Sequence, residues 1–377
     1  MTSPARTRVV YWNNIPAPYM VERFNAIVDR GDFDFEVWFT DRIVPGRTWD
    51  VDENTWRFRY RYLPVTKLGK RKFHWPTLVF GKRVDVLVSL YAEPSFLAGW
   101  AIARLRGIKT AFWCEVTMDR WVRRTRWKDA LKRFVFARVD ATLGAGPQGQ
   151  QFAMRYGVPP EKAMCLPHSI DVALYSEGSA AARLQRDTLR EKWGLRGTTY
   201  VYVGRLWWGK GLSFLLDAFA KVQQQHDQEV SLLLVGDGPE EEKLKRYCEE
   251  NGIRNVVFAG FQQKPTVPAF YAASDVFVFP TLGDPYGLVV DEAMACMLPV
   301  ISTSSAGEIE ERIEEGVNGF IVPPEDSLTL ADRMLQLARN PEMCRQMGRL
   351  SSEKIIGHTP ERFAADFEDV VKRILRN

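Results

Sequence analysis

The sequence predicts an α/β protein built on two doubly wound parallel sheets, one in each half of the chain, on three observations. A length of 377 residues exceeds what one hydrophobic core comfortably holds and suits two domains of ordinary size. In the second half, apolar β-branched runs recur near 199–203, 230–235, 255–259, 276–280, 299–302 and 319–322, with helical stretches between most of them. That alternation belongs to a parallel sheet crossed by helices. The first half repeats it more loosely, with strands expected at 9–12, 35–39, 57–63, 84–90, 109–113 and 139–143. The expected division is a first domain over 1–175, an Ala-, Arg- and Gly-rich linker over 176–197, a second domain over 198–357 and a last helix over 358–377.

A hydrophobic content of 46% and a mean hydropathy of −0.24 indicate a soluble globular chain. No apolar run approaches a membrane span, and MTSPARTRVVYW lacks a signal-peptide core, so a cytoplasmic protein is expected. The five cysteines, Cys114, Cys165, Cys248, Cys296 and Cys344, are odd in number and widely spaced, which suits reduced core residues better than bridges or a zinc site. The net charge of +4 hides an asymmetry: residues 1–175 carry 28 Lys and Arg against 17 Asp and Glu. A basic first half should attract something anionic, whether a phospholipid surface, a lipid pyrophosphate or a nucleic acid.

Along the first half, strand 9–12 leads into NNIPAPY and an amphipathic helix from about Met20 to Val28. The amides of Asn13 and Asn14 could bind hydroxyls or simply form the turn. Asp32 and Asp34 invite a metal reading but stand at the start of a strand, the wrong end for a site in a parallel sheet. Segments 67–83 and 120–136 interleave Lys and Arg with aromatic residues. In the second, Trp127, Leu131 and Phe134 or Val135 fall on one helical face, with Arg123, Arg124, Arg126, Lys128, Lys132 and Arg133 over much of the rest. This is the profile of a helix lying on anionic lipid, or of a solvated basic face whose aromatic stripe packs on the core. Nucleic acid is the weakest partner, since no recognition motif accompanies the charges. Glu93 and Glu115 follow strands 84–90 and 109–113, where a ligand crevice of an open sheet lies. GAGPQG at 144–149 satisfies G-x-G-x-x-G, with Asp171 downstream, but several strands precede it, so it is read as coincidence rather than a dinucleotide site.

The second half is organised around DVFVFPTLGDPYGLVVDEAMACMLPVIST, residues 275–303. It reads as strand, loop, helix and strand, with Asp284 at the N-cap and Pro285 at the first helical position. The helix is apolar nearly all round and therefore buried. Its only charges, Asp291 and Glu292, need partners there. Glu292 follows Asp284 by eight residues, roughly 12 Å along a continuous helix, a span for an extended ligand with its anionic group at the helix start. Earlier, VGRLWWGKG places Arg205 and Lys210 after a strand and before a helix, which together make a diphosphate site. The tail, TPERF onward, is one more helix capped by Thr359.

Asp284, Gly287, Glu292, Ala293 and Pro299 resemble the acid-x7-acid signature, E-P-F-G-x-x-x-x-E-A-M-A-x-G-x-P, of retaining glycosyltransferases of group 1 (family 4). The resemblance implies the GT-B fold, two Rossmann-like doubly wound domains facing each other, with the last helix, 358–377, crossing back to the first domain. It also implies that Asp284 contacts hydroxyls of a donor sugar and that Glu292 holds the ribose of its nucleotide. The amides between them, around Tyr286, Gly287 and Leu288, would face the phosphates. Two departures stand out: Asp at 284 is one methylene shorter than the usual Glu, and Met297 replaces a usual Gly. VGRLWWGKG resembles V-G-R-L-x-x-x-K-G, in which Gly204, Arg205 and Lys210 would grip the pyrophosphate. VGDGP with Gly236, and AGF with Phe261, would approach the nucleoside. GVPPEKAMCLPHSID resembles G-V-P-x-x-K-x-x-x-x-P-N-G-V-D, with His168 at the usual Asn, facing the region between the domains. Asn13, Asn14, Glu93, Glu115 and His168 would lie on the acceptor side.

The function expected is metal-independent transfer of a sugar from a nucleotide-diphosphate sugar to a hydroxyl acceptor with retention, Arg205, Lys210 and Asp284 being the catalytic set. The acceptor would be a lipid-linked saccharide or glycan of cell-surface polysaccharide or glycolipid synthesis. No cofactor is expected beyond the donor, and an anionic membrane surface is the further partner. A sugar-nucleotide epimerase of the same fold, or a non-catalytic anionic-lipid-binding module, is the alternative; the second would leave Arg205, Lys210, Asp284 and Glu292 unexplained.

Overall fold

A computed structural model describes residues 6–42, 52–68, 71–76, 83–90, 94–114 and 126–376. The chain divides into two compact units. The first comprises residues up to Ser169 together with the C-terminal segment from His358. Its elements are β1 (Arg8–Asn13), α1 (Pro18–Arg30), β2 (Asp34–Phe39), β3 (Arg59–Tyr62), the antiparallel pair β4 (Val65–Leu68) and β5 (Arg71–His74), β6 (Val86–Leu90), α2 (Pro94–Leu105), β7 (Lys109–Cys114), α3 (Arg126–Phe136), β8 (Ala141–Gly144), α4 (Pro147–Arg155) and β9 (Ala163–Cys165). Its seven-stranded sheet has the order β3-β2-β1-β6-β7-β8-β9, parallel throughout. β1 is buried at every position, as a central strand covered on both faces must be.

The second unit holds α5 (Val172–Arg183), α6 (Arg186–Lys192), β10 (Thr198–Val203), α7 (Leu212–Gln225), β11 (Val230–Val235), α8 (Glu241–Glu250), β12 (Val256–Gly260), α9 (Val267–Ala273), β13 (Val276–Phe279), α10 (Leu288–Ala295), β14 (Val300–Thr303), α11 (Ile309–Arg312), β15 (Gly319–Val322), α12 (Ser327–Arg339) and α13 (Pro341–Ile355). Its six strands run in the order β12-β11-β10-β13-β14-β15, again all parallel. α14 (Pro360–Arg376) belongs to the first unit and packs against α1. Its Phe363, Phe367, Val371 and Ile374 are buried in the core that β1, β2 and α1 share, and the Thr359 hydroxyl accepts from Arg362 N–H at 3.3 Å.

Several expectations need correction. Residues 176–197 are not a linker: they form most of α5 and all of α6, which pack on α9. Asp171 caps α5 by accepting from Leu174 N–H at 2.9 Å. An Ala- and Arg-rich stretch is a good helix former, and Tyr175 and Ser179 supply its buried face. Cys165 is exposed rather than a core residue, because β9 is an edge strand and its last position faces outward; the other four cysteines are free and buried. In GAGPQG the Gly144 and Gly149 backbones close on each other, so that a Cβ on Gly144 would come within 2.8 Å of Gly149 Cα. These glycines let β8 and α4 meet. Asp34 is bonded to Arg8 at 3.2 Å and to Arg59, and Asp32 to Arg30 at 3.3 Å. The D-x-D string is thus an arginine-paired surface pair.

Candidate functional site

In an open parallel sheet the ligand crevice lies beyond the carboxyl ends of the strands where the strand order reverses. In the second unit that point falls between β10 and β13, since β11 and β12 lie to one side and β14 and β15 to the other. The loops that leave these two strands carry Gly204–Gly211 and Thr281–Gly287. The topology therefore brings Arg205 and Lys210 to the residues before α10.

Tight backbone packing shapes the floor. Gly204 and Gly236 touch, and a Cβ on Gly236 would sit 2.0 Å from the Gly204 carbonyl oxygen. Gly204 N–H donates to Val235 O and Gly236 N–H to Gly260 O, both at 2.9 Å, so the three turns are tied in sequence. Phe261 follows directly and is half-buried. Arg205 is exposed. The Lys210 ammonium is hydrogen-bonded to Asp284 Oδ2, with both side chains largely shielded, and it lies 5.3 Å from the Phe279 ring centroid. Burial would raise the Asp284 pKa, but the Lys210 charge and hydrogen bond, with the Tyr286 N–H, bring it below the ordinary value. The Asp284 carboxylate is therefore ionised at neutral pH.

The helix does not begin at Pro285. Asp284 Oδ1 accepts from Tyr286 N–H at 3.0 Å in a local turn, and α10 starts at Leu288 behind Gly287. Gly287 has φ of +77°, and a Cβ there would lie 2.6 Å from the Phe279 ring. The eight residues from Asp284 to Glu292 are thus a turn followed by a helix, and the 12 Å helical span does not apply. Gly287→Ala is expected to destabilise the second unit by about 1–3 kcal/mol, read as a lowered urea midpoint. Met297, at the usual Gly position, carries the left-handed backbone at φ 58°.

Behind the loop sits a buried network that sequence reasoning only half anticipated. Asp291 and Arg312 are fully buried and paired at 3.0 Å. The Tyr286 hydroxyl donates to Asp291 Oδ2 at 3.0 Å, and the guanidinium carbon lies 4.0 Å from the Tyr286 ring centroid. Arg312 donates further to the carbonyls of Gly287 (3.0 Å), Gly307 (2.9 Å), Glu308 (3.4 Å) and Tyr286. All five guanidinium N–H groups are used. Asp291 was legible as a buried acid in need of a partner; the partner, 21 residues on, was not. The Tyr286 hydroxyl and N–H are accordingly both engaged within the protein.

Glu292 occupies the next stretch of α10. Tyr271 donates to its Oε2 at 3.2 Å, Tyr175 also bonds it, and burial outweighs these contacts and Lys264 to push its pKa up to about 7. Tyr175 comes from α5, within the tail of the expected first domain, and Lys264 from the turn before α9; neither was singled out from the sequence.

Of the residues expected on the acceptor side, the Asn13 amide donates to Ile15 O at 3.0 Å and the Asn14 side chain accepts from Ile15 N–H at 2.8 Å, so both serve their own loop. His168 is buried, its ring 5.1 Å from that of Trp113. Glu93 and Glu115 lie outside the described residues. Among the described residues no group of three or more His, Cys, Asp or Glu is placed to hold a metal ion.

Two α/β units, each on an all-parallel main sheet, give the chain the GT-B fold of the solved structures it resembles. Residues 197–340 match the family described as Glycosyl transferases group 1. The fold resembles that of Anabaena HepE crystallised with UDP (TM-score 0.78, 17% identity, 97% of this chain and 100% of that one). It also resembles WaaG, a glycosyltransferase involved in lipopolysaccharide biosynthesis (TM-score 0.70, 17% identity, 96% and 98%). In sequence, 139 residues are 37% identical to an uncharacterized glycosyltransferase of Methanocaldococcus jannaschii, covering 36% of this chain and 35% of that protein. A stretch of 170 residues is 32% identical to N-acetyl-alpha-D-glucosaminyl L-malate synthase of Bacillus anthracis, covering 45% and 43%. The match thus spans less than half the length of either curated relative.

Proposed function

We propose that the protein transfers a sugar from a nucleotide-diphosphate sugar to a hydroxyl acceptor, with retention of anomeric configuration and without a metal. The observation that carries this is the meeting of Arg205, the Lys210–Asp284 pair and the start of α10 at one switch point, with Glu292 a further turn along the helix. The cations and the N–H groups before Val290 suit a diphosphate. Glu292 suits ribose hydroxyls, and Asp284, already touching Lys210, would sit where phosphate meets sugar. As the bond between the anomeric carbon and the phosphate oxygen breaks, Arg205 and Lys210 would stabilise the departing charge. The acceptor oxygen would bond the same carbon from the same face, its proton passing to the leaving phosphate. UDP is the first nucleotide to try, since a structural neighbour carries it. A thermal-shift screen of UDP, GDP and ADP, with and without EDTA, tests the donor; stabilisation by one of them, unaffected by EDTA, is expected. No response to any nucleotide would sink the donor assignment.

We further propose that the acceptor is lipid-linked and that the chain docks on anionic membrane. On α3, Trp127 (64%), Leu131 (38%) and Phe134 (50%) are exposed, while Val135 and Phe136 are the residues that pack inward. Trp127 and Leu131 are therefore not core packing, while Phe134 is half exposed and meets the core residue Trp100 edge to face at 6.4 Å. Lys132 turns back over the Phe152 and Tyr156 rings, leaving Arg126, Lys128 and Arg133 to flank the stripe. Replacing Trp127, Leu131 and Phe134 by Ser is expected to abolish co-sedimentation with phosphatidylglycerol vesicles while leaving nucleotide binding intact; unchanged co-sedimentation would remove this docking surface.

A further inference from the structure

The turn between Arg205 and Lys210 does more than space two cations. It carries Trp207 and Trp208, whose rings meet edge to face at 5.3 Å and 71°. Trp208 is 49% exposed, so about half of a large apolar side chain meets solvent. Trp207 is locked: Gly209 lies against its indole so closely that a Cβ would come within 2.7 Å of the ring. The Gly209 carbonyl is held in turn by Leu282 N–H at 2.9 Å and the Thr281 hydroxyl at 3.3 Å. The pair thus forms a rigid wall, and between it and the starts of α7 and α8 lies a hollow of about 210 Å³.

Phe214 adds a third ring to the lining, and Ser213, Glu240 and Lys243 supply polar groups. Lys243 and Glu240 are paired at 3.0 Å, so neither sign of charge dominates. A hollow this small, below the several hundred Å³ of a drug-sized site, suits about one six-membered ring. An aromatic wall with a neutral hydrogen-bonding rim matches a molecule with an apolar C–H face and a polar hydroxyl edge. We infer that the Trp207–Trp208 hollow is a saccharide subsite that stacks one pyranose ring on the exposed indole. A nucleotide would instead bring phosphates for which this rim offers a single, already paired cation. The preformed wall lowers the ordering cost that otherwise makes weak sugar contacts undetectable. The inference goes beyond the donor reading, because the hollow contains neither Glu292 nor Asp284.

The test uses the full chain, with and without saturating UDP, titrated by saturation-transfer NMR with the methyl α-pyranosides of glucose, galactose, mannose and N-acetylglucosamine up to tens of millimolar. At least one should bind in both conditions. Trp208→Ala, which alters an exposed residue, should weaken it about tenfold or more, and Trp208→Phe should restore part of the loss. The UDP thermal shift should be the same in Trp208→Ala as in the wild type. Binding of no pyranoside, equal binding by Trp208→Ala, or displacement of the sugar by UDP would each overturn the inference. If UDP itself fails to bind, the donor reading falls, and the titration without UDP still decides this one.

Discussion

Replacing Arg312 by Ala is expected to destabilise the second unit by about 3–5 kcal/mol, the cost of leaving a buried carboxylate without its partner, with four backbone carbonyls losing a donor as well. Those carbonyls belong to Tyr286, Gly287, Gly307 and Glu308, so one side chain fastens the turn before α10 to the loop before α11. Glu308, held at φ 55°, is a strained position that such fastening maintains. Urea denaturation measures the loss. The double variant Arg312→Met, Asp291→Leu removes both charges together, and should recover much of the stability because the desolvation cost disappears with the ions. It should not recover nucleotide affinity, since no apolar pair can hold those carbonyls. Recovery of both would show that the network is only structural filling.

Glu292→Gln is expected to separate stability from binding. A carboxyl whose pKa rises from 4.5 to about 7 on folding binds its proton more tightly in the folded state. Its ionisation therefore costs stability as pH rises from the unfolded value through 7, and the cost is fully present above that. Gln imitates the protonated form, so the variant should gain up to about 3 kcal/mol relative to wild type at pH 8 and less than about 1 kcal/mol at pH 5. Nucleotide affinity should move the other way: an ionised carboxylate accepts two ribose hydroxyl bonds, the amide one. A loss of about tenfold or more at pH 8 is expected, with wild-type affinity falling toward that of the variant as pH drops below 7. Calorimetric titration at both pH values checks it. Equal affinity of the two proteins at pH 8 would remove Glu292 from the nucleotide site.

Residue order alone carried much of this. The strands of the second sheet emerge within a residue or two of the β-branched runs, because a strand buried on both faces must be continuously apolar. Arg205, Lys210 and Asp284 stand out in the sequence because they fall in loops that leave apolar strands, where an open parallel sheet takes its ligands, and Glu292 because it is a charge on an otherwise apolar helix. What the chain's own order could not state is which distant groups meet. The start of α10 moved from Pro285 to Leu288 because Asp284 turned its carboxylate to Lys210 and Tyr286 N–H, and Gly287 adopted a left-handed backbone against Phe279. The supposed linker became helix because α9 offered its Tyr175 face a surface to cover. Asp291 announced a missing partner, but only folding brought Arg312 to it, since β14 must take its place in the sheet before the chain reaches α11. Local pattern, capping and charge are written in the order of the residues. Pairings over twenty or more residues are decided by the strand order of the sheet, and there the physical chemistry of burial chooses among partners that the sequence leaves equally available.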